Sequence, residues 1–113
     1  MEMEITELGG SLRNITLSGR LDTPGVGRIE TRLLAAVVPA GKHAIVDLSQ
    51  VDFIASMGIR LLLSVARSLK RREAKLALYA PQELVNEVLM SVSMPALVPV
   101  CADAAEAIAA VRL

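Results

Sequence analysis

The sequence predicts an α/β fold, in which a mixed, mostly parallel sheet is opened by an N-terminal β-hairpin and carries about four helices. Residues 2–8 alternate polar and apolar side chains, and a second alternating segment at 14–18 follows Gly9 and Gly10, as in a hairpin with one face on the core. Short apolar runs then alternate with segments of helical spacing, a pattern that right-handed crossovers turn into a parallel sheet. We expect one domain over residues 1–113.

The first helix is expected to follow the hairpin. Asp22 or Thr23 can cap it, Pro24 suits its first turn, and Pro39 and Gly41 end it. Its apolar stripe comprises Val26, Ile29, Leu33 and Val37.

Two strand–helix units come next. Residues 43–49 are a short apolar run typical of a buried strand, and the helix after them ends in a basic cluster at 67–72. Residues 75–80 predict another strand, and Pro81 opens a third helix. The side chains expected to face inward from this helix are Leu84, Val85, Val88 and Leu89.

The end of the chain predicts one edge strand and one helix. Residues 97–100 can form only a short edge strand, because Pro99 cannot donate to a ladder. Asp103 and Glu106 have the spacing of a capping box at the start of the last helix.

Composition argues against several classes of partner. Twelve Lys and Arg balance twelve Asp and Glu, and only 2% of residues are aromatic, so neither nucleic acid nor an anionic membrane is favoured. Cys101 and His43 are the only residues of their types, so no metal cluster of these residues is expected, and no cofactor. The acidic start is unlike a signal peptide, and the uncharged stretch 88–102 is too short to insert in a membrane. We expect a cytoplasmic protein that binds other proteins.

The most informative stretch is 51–63, which joins a predicted buried strand to a predicted helix and places Ser56 at the junction. The first N–H groups of a helix are unpaired and its dipole is positive there, so a phosphate is tolerated. Functional sites in such sheets gather at the carboxyl ends of the strands, and the turn at 22–25 is expected at the same edge.

Three segments resemble a known family. The runs 17–22, 45–49 and 51–62 are similar to a STAS domain of the bacterial anti-sigma factor antagonist group, and the resemblance covers essentially the whole chain. It implies a partner switch. The unphosphorylated antagonist binds an anti-sigma factor that is also a serine kinase, phosphorylation of a serine at this junction releases it, and a metal-dependent serine phosphatase of the PP2C type restores binding.

The resemblance implies a role for particular residues. Ser56 falls on the phosphorylated position, and Ala55 and Met57 stand where many members have Asp and where Ser or Thr is usual, so Ser56 is the single hydroxyl there. The implied partner-binding residues are Asp22, Thr23, Ile54, Ala55, Met57, Gly58 and Arg60.

Simpler interpretations stay open for several of these residues. Ser56 could be an ordinary N-cap, Asp22 could cap the first helix, and Gly58 could mark tight packing.

A catalytic role is not expected, because the sequence places no base beside Ser56 and contains no nucleotide-binding glycine loop. The alternative functions are a STAS-type subunit of a lipid or solute transporter without a phosphorylation cycle, and direct binding of a small ligand or nucleotide.

Overall fold

Five strands form one sheet, in the order in which they occur in the chain. The structure is a computed structural model, and it describes residues 1–112. The first strand, β1, pairs antiparallel with β2, and all other neighbouring pairs are parallel. The strands are β1 (Glu2–Glu7), β2 (Leu12–Leu21), β3 (His43–Ile54), β4 (Leu76–Tyr79) and β5 (Val100–Cys101). The predicted mixed, mostly parallel sheet with an N-terminal hairpin is confirmed.

Helices cover both faces of this sheet. They are α1 (Thr23–Val37), α2 (Ser56–Lys70), α3 (Glu83–Ser91) and α4 (Ala104–Arg112), with a short 3₁₀ turn at Met94–Ala96. The larger core lies under α1, α2 and α3, whereas α4 packs on the opposite face against a smaller cluster. The predicted domain extends to Leu113, which lies outside the described residues.

Local sequence signals explain the ends of several elements. The hairpin turn uses Gly9 and Gly10 at φ +85° and +59°, a backbone region that favours glycine. The Asp22 carboxylate accepts from the Gly25 N–H at 2.9 Å and caps α1, with Pro24 in the first turn, as predicted. The Asp103 carboxylate does the same for α4.

The strands β2 and β3 are longer than predicted, and this extension builds the candidate site. Their register shifts between Thr16 and Ser18 and again between Gly19 and Arg20, and pairing then continues to Leu21 opposite Ile54. Such irregularities re-aim a strand without ending its pairing. The two strands therefore finish side by side.

Two of the predictions were wrong in detail. Leu84 does not face inward, and its side chain is 70% exposed. The helix α3 buries Val85 and Leu89 instead, which turns the neighbouring position 84 toward solvent. The edge strand is β5 rather than residues 97–100. Pro99 has no N–H to donate, so the ladder begins only where its carbonyl accepts from Leu78 N–H at 2.9 Å.

Candidate functional site

The carboxyl ends of β2 and β3 bring together two loops that are far apart in the chain. The Ala55 N–H donates to the Leu21 carbonyl at 3.1 Å, just past the last pair of the ladder. Asp22 follows Leu21 directly, and Ser56 follows Ala55. All the residues predicted for the site are therefore on the two segments that meet at this edge, 22–23 and 54–60.

Ser56 is the first residue of α2, and its side chain is exposed. The N-cap position is held by Ala55, in an extended conformation with φ −122° and ψ −179°, and no side chain caps the helix. The interpretation of Ser56 as an ordinary N-cap is therefore wrong, and its hydroxyl has no capping role. The first turn of α2 contains no acidic residue, so no carboxylate on this turn offsets the positive end of the dipole.

Asp22 has a structural role at the same edge. One carboxylate oxygen caps α1, and the other accepts from the Arg20 Nε at 3.1 Å. The backbone N–H of Gly25 and the guanidinium of Arg20 hold the pKa of the Asp22 carboxyl below its usual value. Asp22 is therefore a fixed, ionised group, and the capping role that the sequence left open is confirmed.

Arg20 and Phe53 also belong to this edge, although sequence reasoning did not single them out. They are opposite each other in the β2–β3 register, and the guanidinium of Arg20 lies 4.1 Å from the centre of the Phe53 ring. Their proximity depends on the register of β2 against β3, which the sequence does not give. Arg20 thus connects Asp22 to Phe53 across the two strands.

Gly58 allows α2 to approach the end of β2. A Cβ atom at this position would lie 2.5 Å from the Leu21 carbonyl oxygen and 2.8 Å from the Leu21 Cγ. Real Cβ atoms do not come this close, so the tight-packing interpretation of Gly58 is supported. The glycine sets the position of the turn that contains Ser56.

The predicted contact residues differ in accessibility. The exposed ones are Thr23, Ser56 and Arg60, the half-buried ones are Asp22, Ala55 and Met57, and the buried ones are Ile54 and Gly58. A partner can therefore touch the first two groups directly. The buried pair can act only by shaping the surface above it.

An apolar depression adjoins the junction. It has a volume of about 250 Å³ and lies between Phe53, which is 38% exposed, and Leu84, with the acidic Asp52 and Glu87 among its lining residues. Nothing in the sequence pointed to this patch, because Leu84 was expected to face inward. It extends the exposed surface from the start of α2 toward α3.

Two further chemical properties follow from the described part of the chain. Across residues 1–112, no three or more His, Cys, Asp and Glu side chains are grouped so that they could hold a metal ion. None of the helices described is both long enough and apolar enough to cross a membrane.

The protein is thus a small α/β domain with a mixed sheet, and it carries an exposed hydroxyl where the central strand passes into a helix. The chain belongs to the STAS domain family, whose model matches residues 3–107. This confirms the family that the three sequence segments predicted.

Individual relatives are named as antagonists of anti-sigma factors. The chain is 29% identical over 110 residues to "Putative anti-sigma factor antagonist BtrV" of Bordetella bronchiseptica, covering 97% of this chain and 93% of the relative. Its structure is similar to the anti-sigma factor antagonist SpoIIAA in its unphosphorylated form, with a TM-score of 0.81, 24% identity and coverage of 98% and 96% of the two chains. The phosphorylated form of SpoIIAA, a Bacillus cell fate determinant, gives a TM-score of 0.72 at 22% identity, with coverage of 98% and 100%.

Proposed function

We propose that this chain is an anti-sigma factor antagonist that works by partner switching. In its unphosphorylated state it binds an anti-sigma factor that is also a serine kinase, and phosphorylation of Ser56 releases it. The observation that carries this proposal is the exposed Ser56 hydroxyl, which has no capping role, at the start of a helix without acidic residues in its first turn. The name of BtrV and the two solved states of SpoIIAA support the proposal.

The physical effect of phosphorylation differs between the free and the bound protein. A phosphate adds about −1.5 to −2 charges at neutral pH. In the free domain this charge lies at the positive end of the α2 dipole, in water, and is tolerated. Against a partner that covers Ser56 and Met57, the same charge would have to be desolvated, which is costly. Phosphorylation can therefore break the interface while the fold stays intact.

The proposed contact surface is centred on the three exposed residues Thr23, Ser56 and Arg60. Met57 contributes apolar area at its half-buried side chain, and the flexibility of methionine suits an irregular partner surface. The half-buried Asp22 and Ala55 lie at its margin, within reach of a partner, and the buried Ile54 and Gly58 shape it from below.

A role as a kinase substrate fits Ser56 better than a role as a catalyst. A serine nucleophile needs a base within hydrogen-bond reach. His43 is the only histidine of the chain, and it is at the start of β3, whereas Ser56 follows the end of that strand. The His43 Nδ1 accepts from the Lys75 N–H at 2.9 Å, which fixes the ring at the far edge of the sheet.

The switch needs a place where ATP is present and an enzyme that removes the phosphate. Residues 1–113 act as a single STAS-type domain in the cytoplasm, where the kinase finds its ATP. A PP2C-type serine phosphatase removes the phosphate from Ser56 and restores binding. No cofactor takes part in the function of the domain itself.

The test uses the anti-sigma factor kinase of the native host and ATP, with phosphate mapped by mass spectrometry. We expect phosphate on Ser56 and none in Ser56→Ala. In a binding assay with that kinase, Ser56→Ala should bind like the unmodified protein and Ser56→Asp should lose binding. Ser11→Asp is the matched control, because Ser11 is also exposed but lies in the hairpin turn.

Two results would contradict the proposal. One is an unmodified Ser56 after incubation with kinase and ATP. The other is equal binding by Ser56→Ala and Ser56→Asp, which would favour a STAS-type subunit without a phosphorylation cycle.

A further inference from the structure

A groove runs beside the C-terminal half of α2, at the opposite end of that helix from Ser56. It consists of two adjoining depressions of about 390 Å³ and 210 Å³, which share Ala66, Lys70 and Leu97 as lining residues. The 15 residues of α2 span roughly 21 Å along the helix axis, so the groove and the Ser56 surface are separate.

The lining of the groove is largely apolar, and one side chain projects from it. Leu97 is 67% exposed, although Met94 and Val98 on either side of it are 1% exposed and anchor this segment to the core. The larger depression reaches Leu76 of β4, because Pro99 delays the start of β5 and leaves that part of the β4 edge without a strand. A single exposed leucine is ordinary, but this one stands beside two adjoining and largely apolar depressions.

The rim of the groove is strongly cationic. Arg67 and Lys70 line it from the last turn of α2, and the exposed Arg71 follows. Glu73 is the one acidic side chain among the residues lining the two depressions. Within residues 1–112, neither Arg67 nor Lys70 forms an ion pair. Cations at the end of a helix offset its dipole, but that effect requires no apolar depression beside them.

We infer that this groove binds an acidic, amphipathic segment of a partner protein, with apolar side chains against Ala66 and Leu97 and carboxylates toward Arg67 and Lys70. The concave, apolar lining fits a convex apolar stripe, and the cationic rim fits flanking acids. A flat membrane would not fill a concave groove. Because the groove lies away from Ser56, the domain can hold this segment in either phosphorylation state.

A second copy of the chain is the main competing occupant. The exposed face of α3 carries Glu83 and Glu87 together with Leu84, so it also combines acids with an apolar side chain. Contact between this face and the groove of another molecule would be heterologous, and such contacts build rings or open filaments rather than two-fold dimers. The partner segment is therefore preferred, and self-association becomes an outcome of the test.

The probe is a fluorescein-labelled amphipathic peptide of about 16 residues, long enough to form a helix, with a leucine stripe flanked by glutamates. Backbone amide shifts in NMR should change at Ala66, Lys70 and Leu97. Binding should weaken by roughly tenfold or more in Lys70→Glu and in Leu97→Ser, since each removes a principal contact. Arg28→Glu, a charge reversal at an exposed position of α1, is the matched control and should bind normally.

Urea unfolding shows whether the variants are folded, and both altered side chains are exposed, so their midpoints should stay near that of the unmodified protein. Ser56→Asp should bind the peptide as tightly as the unmodified protein. The inference is overturned if the peptide does not bind, or if a version with lysines in place of glutamates binds equally well. It is also overturned if the shifts fall at the Ser56 edge, or if sedimentation shows self-association that Lys70→Glu abolishes.

Discussion

Replacing Gly58 by alanine tests whether close packing sets the geometry of the Ser56 turn. The added Cβ would lie 2.5 Å from the Leu21 carbonyl oxygen, 2.8 Å from the Leu21 Cγ and 3.0 Å from the Ile54 Cγ1. The nearest of these atoms belongs to the backbone of β2, which cannot rotate away as a side chain would. The start of α2 must therefore move away from the sheet.

The expected magnitude is a difference between two effects. Overpacking a well-packed site costs about 1–3 kcal/mol, and the better helix propensity of alanine returns up to about 1 kcal/mol. We expect Gly58→Ala to lower the free energy of unfolding by about 1–2 kcal/mol and the Tm by roughly 4–8 °C. The displaced turn should also weaken binding of the anti-sigma factor kinase.

Gly27→Ala is the matched control, because Gly27 is also a helical glycine but a Cβ there meets nothing within 4 Å. This control should raise the free energy of unfolding by about 0.5–1 kcal/mol through helix propensity and chain entropy. Urea unfolding followed by far-UV circular dichroism measures both variants. If Gly58→Ala stabilises the protein as Gly27→Ala does, the reasoning from the Leu21 contact is refuted.

The remaining predictions concern Asp22 and Tyr79. Asp22→Ala should destabilise the fold by removing the cap on Gly25, whereas Asp22→Asn keeps a capping oxygen. Because the pKa of Asp22 is lowered in the folded protein, the carboxylate contributes to the free energy of unfolding. This contribution is complete above the unfolded pKa near 3.8 and is lost as pH falls through the folded pKa. Acid titration should therefore show a shallower loss of stability in Asp22→Asn. Burial first, and the charge of Asp47 second, raise the pKa of the Tyr79 phenol in the folded protein above the ordinary value of 10.0. The unfolded chain therefore loses this proton first, and the free energy of unfolding should fall as pH rises past 10.0. Tyr79 is the only tyrosine and the chain has no tryptophan, so absorbance of the phenolate measures its pKa directly, and Asp47→Asn should lower it. Tyr79→Phe leaves the Asn14 oxygen, now bonded to the phenol at 2.5 Å, without this donor and should cost about 1 kcal/mol in urea unfolding. An unchanged midpoint would show that water replaces the phenol.

Patterns within a few residues of each other predicted the local structure well. The alternation around Gly9 and Gly10 led to the hairpin, and the spacing of Asp22 to Gly25 led to the cap of α1. Both involve groups close together in the chain, so the chemistry that forms them is visible in the sequence.

The inward face of α3 shows where such patterns are insufficient. Leu84 and Val88 have the same spacing as Val85 and Leu89, so either pair could face the core. Packing of α3 against the sheet buried Val85 and Leu89 and left Leu84 exposed beside Phe53. The choice depends on neighbours that the local sequence does not contain.

For the candidate site, the sequence determined that an unpaired helix start with one hydroxyl, Ser56, follows a buried strand, because periodicity and composition are local properties. Only the tertiary structure decided that this hydroxyl is exposed and has no capping role, and that Arg20 lies over Phe53. Those facts depend on the register of β2 against β3 and on the close approach that Gly58 allows, which are set by contacts between distant parts of the chain.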